Sequence, residues 1–334
     1  MPEPMTPRFL LTLPLPEPAS AILAAAGEVE VLGRIPSPDE LHALLADGPD
    51  VLCSQLRDLL DEDALSHAHP RLRAICNYAV GFDNVDVAAA TRRGIFVTNT
   101  PDVLTTATAD CAMGLMLGAA RRLTEGDRVV RAGAYDGWRP DYMLGLDLHG
   151  ATLAILGFGR IGQAMAERAL AFAMDVVYVD PGWPQPPTHL AATRQVGLDE
   201  ALAVADVVSI HLPLTPGTRH LVDDAALAAM KRTAILVNTA RGPIVDERAL
   251  VRALQEGRIA GAGLDVYEDE PRLAPGLADC PTALLAPHLG SATHRTRSAM
   301  ARVCAENAVA AARGEIPPQA LNPEALRQRG GAPA

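Results

Sequence analysis

Three polar residues in the C-terminal half of the sequence each stand just beyond a short apolar run. Arg241 lies in Asn238-Thr-Ala-Arg-Gly242, after the run Ala234–Asn238. Glu270 lies in Gly263-Leu-Asp-Val-Tyr-Glu-Asp-Glu-Pro271, and His288 in Pro287-His-Leu-Gly290, after Leu284–Ala286. An arginine fork binds a carboxylate through two parallel hydrogen bonds. A histidine titrates near neutrality and exchanges a proton with substrate, and a neighbouring glutamate fixes its tautomer. Singly, each residue reads as a surface charge or a cap. Jointly, since each follows a strand end and all could converge at one crevice rim, they read as a carbonyl-reduction set. Asp265 is expected either to cap a strand end or to contact a nicotinamide amide.

A second constellation lies upstream. The apolar run Thr152–Leu156 leads into Gly157-Phe-Gly159-Arg-Ile-Gly162, and helical periodicity starts at once. This is the G-x-G-x-x-G pattern in its strand-to-helix setting. Gly157 allows the tight turn, Gly159 lets a pyrophosphate approach the backbone, and Gly162 allows close helix–strand packing. The helix N-terminus then offers N–H groups to the phosphates. Asp180 ends the next run, Val176–Val179, where an acidic partner for the ribose hydroxyls belongs. Its charge would repel a 2′-phosphate, so NAD(H) is expected over NADP(H). A loop follows at His211-Leu-Pro-Leu-Thr-Pro-Gly-Thr218, at another strand end.

The elements that must position these groups alternate along the chain. Strand-like runs occur at Phe9–Leu13, Val29–Leu32, Val51–Cys53, Arg73–Tyr78 and Ile95–Thr98. A second series occurs at Thr152–Leu156, Val176–Val179, Val207–Ile210, Ala234–Asn238, Gly263–Val266 and Leu284–Ala286. Helical periods lie between, with Ala109, Met113, Met116, Leu117 and Ala120 on one apolar face and Ile161, Met165, Ala169 and Phe172 on another. Such alternation implies α/β architecture, with two doubly wound parallel-sheet units. The last helix, near Thr293–Arg313, is placed to return to the first unit. The tail after Ile316, rich in Pro, Gly and Ala, is expected to be mobile.

Composition narrows the class further. The 334 residues suit about two domains. A net charge of −11 argues against a nucleic-acid partner. No apolar run reaches membrane-spanning length, and Met1–Pro18 lacks the cationic and cleavage features of a signal peptide. Cys53, Cys76, Cys111, Cys280 and Cys304 are odd in number and lack C-x-x-C spacing. Buried free thiols in a cytoplasmic setting are therefore expected, with no metal site.

Taken together, the sequence resembles the D-isomer-specific 2-hydroxyacid dehydrogenase family. The matching segments are Asn77-Tyr-Ala-Val-Gly-Phe-Asp-Asn-Val-Asp86, Thr98–Thr105, Leu156–Gln163, His211–Thr218, Val237–Gly242, Gly263–Pro271 and Ala286–Thr293. The resemblance implies two Rossmann-like domains with a cleft between them. Residues 1–101 plus 293–334 would form a discontinuous substrate domain, and 102–292 an NAD-binding domain. It implies that Arg241 binds substrate, that Glu270 partners the histidine, and that His288 is the general acid. The Val80 and Gly81 amides would hold the substrate carboxylate. Cofactor contacts are expected from Thr105, Gly157, Phe158, Gly159, Arg160, Ile161, Gly162, Asp180, His211, Pro213, Thr218, Thr239, Ala240, Asp265 and Gly290. A homodimer is implied as well.

Within the family the sequence is most similar to the glyoxylate/hydroxypyruvate reductases, through Leu52-Cys-Ser-Gln-Leu56, Val103-Leu-Thr105, Gly137-Trp138 and Leu144-Gly-Leu-Asp147. Leu56 would then line the side-chain pocket, and Trp138 would reach the partner subunit's site. Many of these reductases use NADPH and carry Arg, Ser or Thr after the second strand. Asp180-Pro-Gly-Trp183 offers none, which keeps the expectation on NAD(H). The regulatory domain of long phosphoglycerate dehydrogenases is not expected here. Two other readings stand beside the reductase: a non-catalytic NADH-sensing protein of the same fold, and a dehydrogenase acting on 3-phosphoglycerate, formate or phosphite.

Overall fold

The computed structural model describes residues 6–329. Residues 6–104 and 293–329 form one unit, and Thr105–Ala292 form the other.

The chain begins in the first unit with β1 (Arg8–Leu11), α1 (Ala19–Ala24), β2 (Glu28–Val31), α2 (Pro38–Ala46) and β3 (Val51–Ser54). It continues with α3 (Glu62–Ser66), β4 (Ala74–Asn77), α4 (Val87–Arg92) and β5 (Phe96–Thr98). The sheet order is β2-β1-β3-β4-β5, and every pairing is parallel. Central strands covered on both faces must be apolar throughout, and β3 and β4 are buried along their whole length. Helix starts are set by side-chain caps: Ser37 accepts from Glu40 N, Asp61 from Ala64 N and Asp86 from Ala89 N.

The second unit opens with α5 (Thr105–Ala120) and α6 (Leu123–Arg131). Then come β6 (Thr152–Leu156), α7 (Arg160–Ala171), β7 (Asp175–Val179), β8 (Arg194–Gln195), α8 (Leu198–Val204) and β9 (Val207–Ile210). It closes with α9 (Asp224–Ala229), β10 (Ile235–Asn238), α10 (Glu247–Gln255), β11 (Gly261–Leu264) and β12 (Ala283–Leu285). The order is β12-β11-β10-β9-β6-β7-β8, parallel throughout. The strand order reverses at β6, where doubly wound sheets place their ligands. Apolar clusters cover both faces, one around Leu236, Ile244 and Leu250 and one around Met116, Phe158 and Tyr178. Phe158 and Tyr178 are stacked with centroids 3.8 Å apart.

Three details depart from the sequence reading. β11 begins and ends two residues earlier than expected, because Gly261 and Ala262 pair with β10 despite their poor strand propensity. β8, only two polar residues long, carries no apolar signal. Phe172 follows α7 as its C-cap and is 44% exposed rather than part of the apolar face.

The chain then returns to the first unit through α11 (His294–Ala312), which packs on α1, β3 and β4, and ends with α12 (Ala325–Arg329). The expectation of a mobile tail after Ile316 is overturned as far as residue 329. Asn322 is 1% exposed, and its amide accepts from Val97 N at 2.7 Å and donates to Ile95 O at 2.9 Å. Leu321 N donates to Val97 O, and Ala325 is fully buried. One asparagine thus supplies the edge strand β5 with the partners a further strand would have given. Residues 330–334 lie outside the described part. The five cysteines are free, and all but Cys111 are buried.

Candidate active site

Register aligns the carboxyl ends of the second sheet. Val179 pairs with Leu156, Leu156 with Ile210, Ile210 with Asn238, Asn238 with Leu264, and Leu264 with Leu285. The next residue on each strand is therefore Asp180, Gly157, His211, Thr239, Asp265 or Ala286. Most of the expected cofactor set and all three expected catalytic residues issue from this one row.

The fingerprint loop is built as its glycines require. Gly157 has φ +94°, and a Cβ there would lie 2.7 Å from the His211 carbonyl oxygen. Gly162 backs directly onto the Gly157 carbonyl. Gly159 caps α7 without a side-chain acceptor, and a Cβ on it would meet open space. A helix start with no side-chain cap and a bare backbone approach suits a pyrophosphate. Arg160 is exposed and Ile161 half-buried. Phe158 is fully buried, so only its backbone is on offer, and its N–H donates to Asp180 Oδ2 at 2.8 Å. Asp180 Oδ1 accepts from Gly182 N at 2.8 Å. The aspartate therefore stands against the fingerprint loop.

His211 donates its backbone N–H to Leu156 O, and its Nε2 lies 2.9 Å from Ser209 Oγ. Burial pushes its pKa down to about 4, so the ring is neutral at physiological pH. Thr218 Oγ1 donates to the Pro213 carbonyl at 2.7 Å and accepts from Thr215 N, which folds the loop on itself. Thr239 Oγ1 is buried without a partner among the described residues. Thr105, the first residue of α5, is half-buried. The donors, the open helix start and the orphaned hydroxyl fit a dinucleotide.

The catalytic candidates sit on loops from three adjacent strands. His288 Nδ1 is 3.0 Å from Glu270 Oε1, with side chains 32% and 35% exposed. His288 has φ +56° and is held by its N–H donating to Asp265 O at 2.9 Å. Asp265 is 1% exposed, and its carboxylate accepts from Leu289 N at 2.6 Å and Gly290 N at 2.7 Å. Burial pushes this carboxyl up, against the effect of those two donors. These two bonds give Asp265 the capping role read for it, on the loop that carries His288. Asn238 Nδ2 donates to Arg241 O at 2.9 Å, while its Oδ1 accepts from Ala240 N. Gly242 abuts the backbone of Tyr267 and Glu268 so closely that a Cβ would overlap it. Tyr267 Oη in turn donates to Ala286 O at 2.8 Å. Hence the Arg241, Glu270 and His288 loops brace one another.

The remaining candidates lie elsewhere. In the first unit, the carbonyls of Val80 and Gly81 accept from Asn99 Nδ2 at 2.7 Å and Asn77 Nδ2 at 2.9 Å. Both residues are half-buried, as is Leu56. Trp138, in the second unit, is 81% exposed.

One supporting group escaped the sequence reading. Glu247 is 2% exposed and accepts from Glu268 N at 2.6 Å and Ala274 N at 3.1 Å. It therefore clamps both ends of the loop that carries Glu270. Burial pushes its carboxyl up. In sequence it follows the N-cap Asp246 and looks like an ordinary first-turn acid.

The comparisons agree with this architecture. Residues 113–290 match the model of the D-isomer specific 2-hydroxyacid dehydrogenase NAD binding domain. A glyoxylate reductase of Korarchaeum cryptofilum is 45% identical over 97% of this chain and 98% of its own length. The crystal structure of the TT0316 protein of Thermus thermophilus covers 94% of this chain and 99% of that one, at 46% identity and a TM-score of 0.87. An NADPH-dependent glyoxylate/hydroxypyruvate reductase of Sinorhizobium meliloti, in complex with NADP and malonate, covers 92% and 93% at 35% identity and a TM-score of 0.81. With the fold, the fingerprint and the family match in agreement, the chain belongs to the D-isomer-specific 2-hydroxyacid dehydrogenases, NAD(P)-dependent oxidoreductases acting on a CH–OH group.

Proposed function

We propose that the chain reduces a small 2-oxo acid, glyoxylate or hydroxypyruvate, with NADH preferred over NADPH. The observation that carries this reading is the His288–Glu270 pair at 3.0 Å, on the same row of strand ends as the fingerprint. Near full-length similarity to glyoxylate reductases supports the substrate class. Bound NAD(P)H supplies the hydride. Arg241 takes the substrate carboxylate, aided by the Val80 and Gly81 amides, and polarises the carbonyl. Leu56 lines the substrate side chain. Glu270 accepts from Nδ1–H of His288, which leaves Nε2 to give its proton to the forming alkoxide. Asp180 meets the adenosine ribose hydroxyls and disfavours a 2′-phosphate. NADP(H) is the alternative cofactor, as in the Sinorhizobium meliloti relative.

A homodimer in a cytoplasmic setting belongs to the same reading. None of the residues of α6 is buried, and Leu123, Val130, Tyr135, Trp138 and Leu144 are large apolar groups left exposed along one stretch. Trp138 is proposed to reach the second subunit.

The test is oxidation of NADH and of NADPH by purified protein against glyoxylate, hydroxypyruvate, pyruvate, a phenyl-bearing 2-oxo acid and phosphohydroxypyruvate. Fast NADH turnover with the two small acids is expected. Tight NADH binding without turnover of any acid would replace the reductase with the sensor reading.

A further inference from the structure

In the first unit, away from every residue assigned above, two imidazoles and a carboxylate meet on the surface. His42 lies on α2, Asp63 on α3, and His67 caps the C-terminus of α3. The rings of His42 and His67 are stacked, with centroids 4.4 Å apart and planes 13° from parallel. His42 Nε2 lies 4.0 Å from Asp63 Oδ2. One ligand atom from each residue lies within 4.8 Å of the other two, and among the described residues this is the one such group of three.

We propose that His42, Asp63 and His67 form a site for a divalent transition ion, zinc by donor type, that ties α2 to the end of α3. Asp63 and His67 are four residues apart, which puts them on one side of a helical turn. The stack brings a nitrogen of each ring and a carboxylate oxygen within 4.8 Å of one another, and because a bound ion lies in the plane of each imidazole, the rings turn out of their stack to share it. A tetrahedral zinc with bonds of about 2.0–2.1 Å draws its ligand atoms to about 3.4 Å apart. The triad must therefore contract by roughly an ångström, which side-chain rotation supplies: the Asp63 side chain is 78% exposed and that of His42 20%. Two nitrogens and one oxygen suit zinc, nickel or copper, whereas calcium and magnesium want a full oxygen shell. Three protein ligands leave a fourth position to water. α2 and α3 already pack on each other, so an ion bound to the folded form alone adds stability that grows with the logarithm of its concentration above Kd.

The site is tested by calorimetric titration of zinc ion into the dialysed full-length chain at pH 7.5, beside His42→Gln/His67→Gln, Asp63→Asn and His189→Gln. One equivalent should bind at micromolar concentration. The double variant should lose it, Asp63→Asn should weaken it roughly ten-fold, and His189→Gln should leave it unchanged. Cobalt substitution should give visible absorption that disappears in the double variant. The melting temperature should rise with zinc only where the site is intact, and NADH oxidation by the zinc-free variants should match the parent. Binding that survives the double substitution, or that saturates only at millimolar zinc, overturns the proposal.

Discussion

His288 is held in a left-handed backbone conformation by Asp265: the carbonyl of Asp265 accepts the His288 N–H at 2.9 Å, while its buried carboxylate accepts the N–H groups of the next two residues. The imidazole is thereby turned toward Glu270, and its Nδ1 is committed to that carboxylate.

Removing the imidazole should remove proton transfer and little else. His288→Asn is expected to lower kcat by about 10² or more, with NADH affinity measured by fluorescence near the parent value. Turnover within a few-fold of the parent would dismiss His288 as the general acid.

The proposed preference for NADH rests on the charge of Asp180. Asp180→Ser removes the repulsion of a 2′-phosphate, and the ratio of kcat/KM for NADPH over NADH should rise roughly ten-fold or more, since a charge pair at about 4 Å is worth one to a few kcal/mol near a surface. The substitution also removes the acceptor for Phe158 N, so both cofactors should bind somewhat less well. An unchanged ratio would take Asp180 out of the ribose site.

His211 should make stability pH-dependent. Its folded pKa, about 4, lies below its ordinary value of 6.5, so between these limits the unfolded chain binds a proton that the folded chain refuses. Stability is fully present above pH 6.5 and falls by up to about 3 kcal/mol as pH drops toward 4. Urea unfolding of parent and His211→Gln across about pH 4–7.5 reads this directly. The variant should show a shallower acid loss, and parallel curves would mean that folding leaves the imidazole's titration unchanged.

Glu247 is expected to affect catalysis through the loop that carries Glu270. Glu247→Ala leaves Glu268 N and Ala274 N without their acceptor, at a cost of about 1–3 kcal/mol per unsatisfied group. The loop carrying Glu270 loosens, and kcat should fall roughly ten- to hundred-fold while NADH affinity holds. Glu247→Gln retains one acceptor oxygen and should recover part of both losses. A drop in melting temperature with unchanged kcat would confine Glu247 to folding.

Much of this protein is written in local signals. Strand positions follow from apolar runs, because central parallel strands are covered on both faces, and the fingerprint glycines are dictated by a turn that no Cβ fits. Arg241, Glu270 and His288 stood out because each follows a strand, and parallel strands send their carboxyl ends to one side. Other features had no local signature. β8 is two polar residues long, and Asn322 ties down a Pro- and Ala-rich tail by bonding to β5 more than 220 residues away. Glu247 becomes a clamp only once α10 packs beneath the 268–274 loop. His42 joins Asp63 and His67 only because α2 packs on α3. Sequence by itself determined most strand segments and the dinucleotide turn and singled out the candidate reacting groups, since these depend on spacing along the chain. The tertiary structure alone decided which buried carboxylates hold the loops and which distant side chains meet, since those depend on contacts between elements that no spacing encodes.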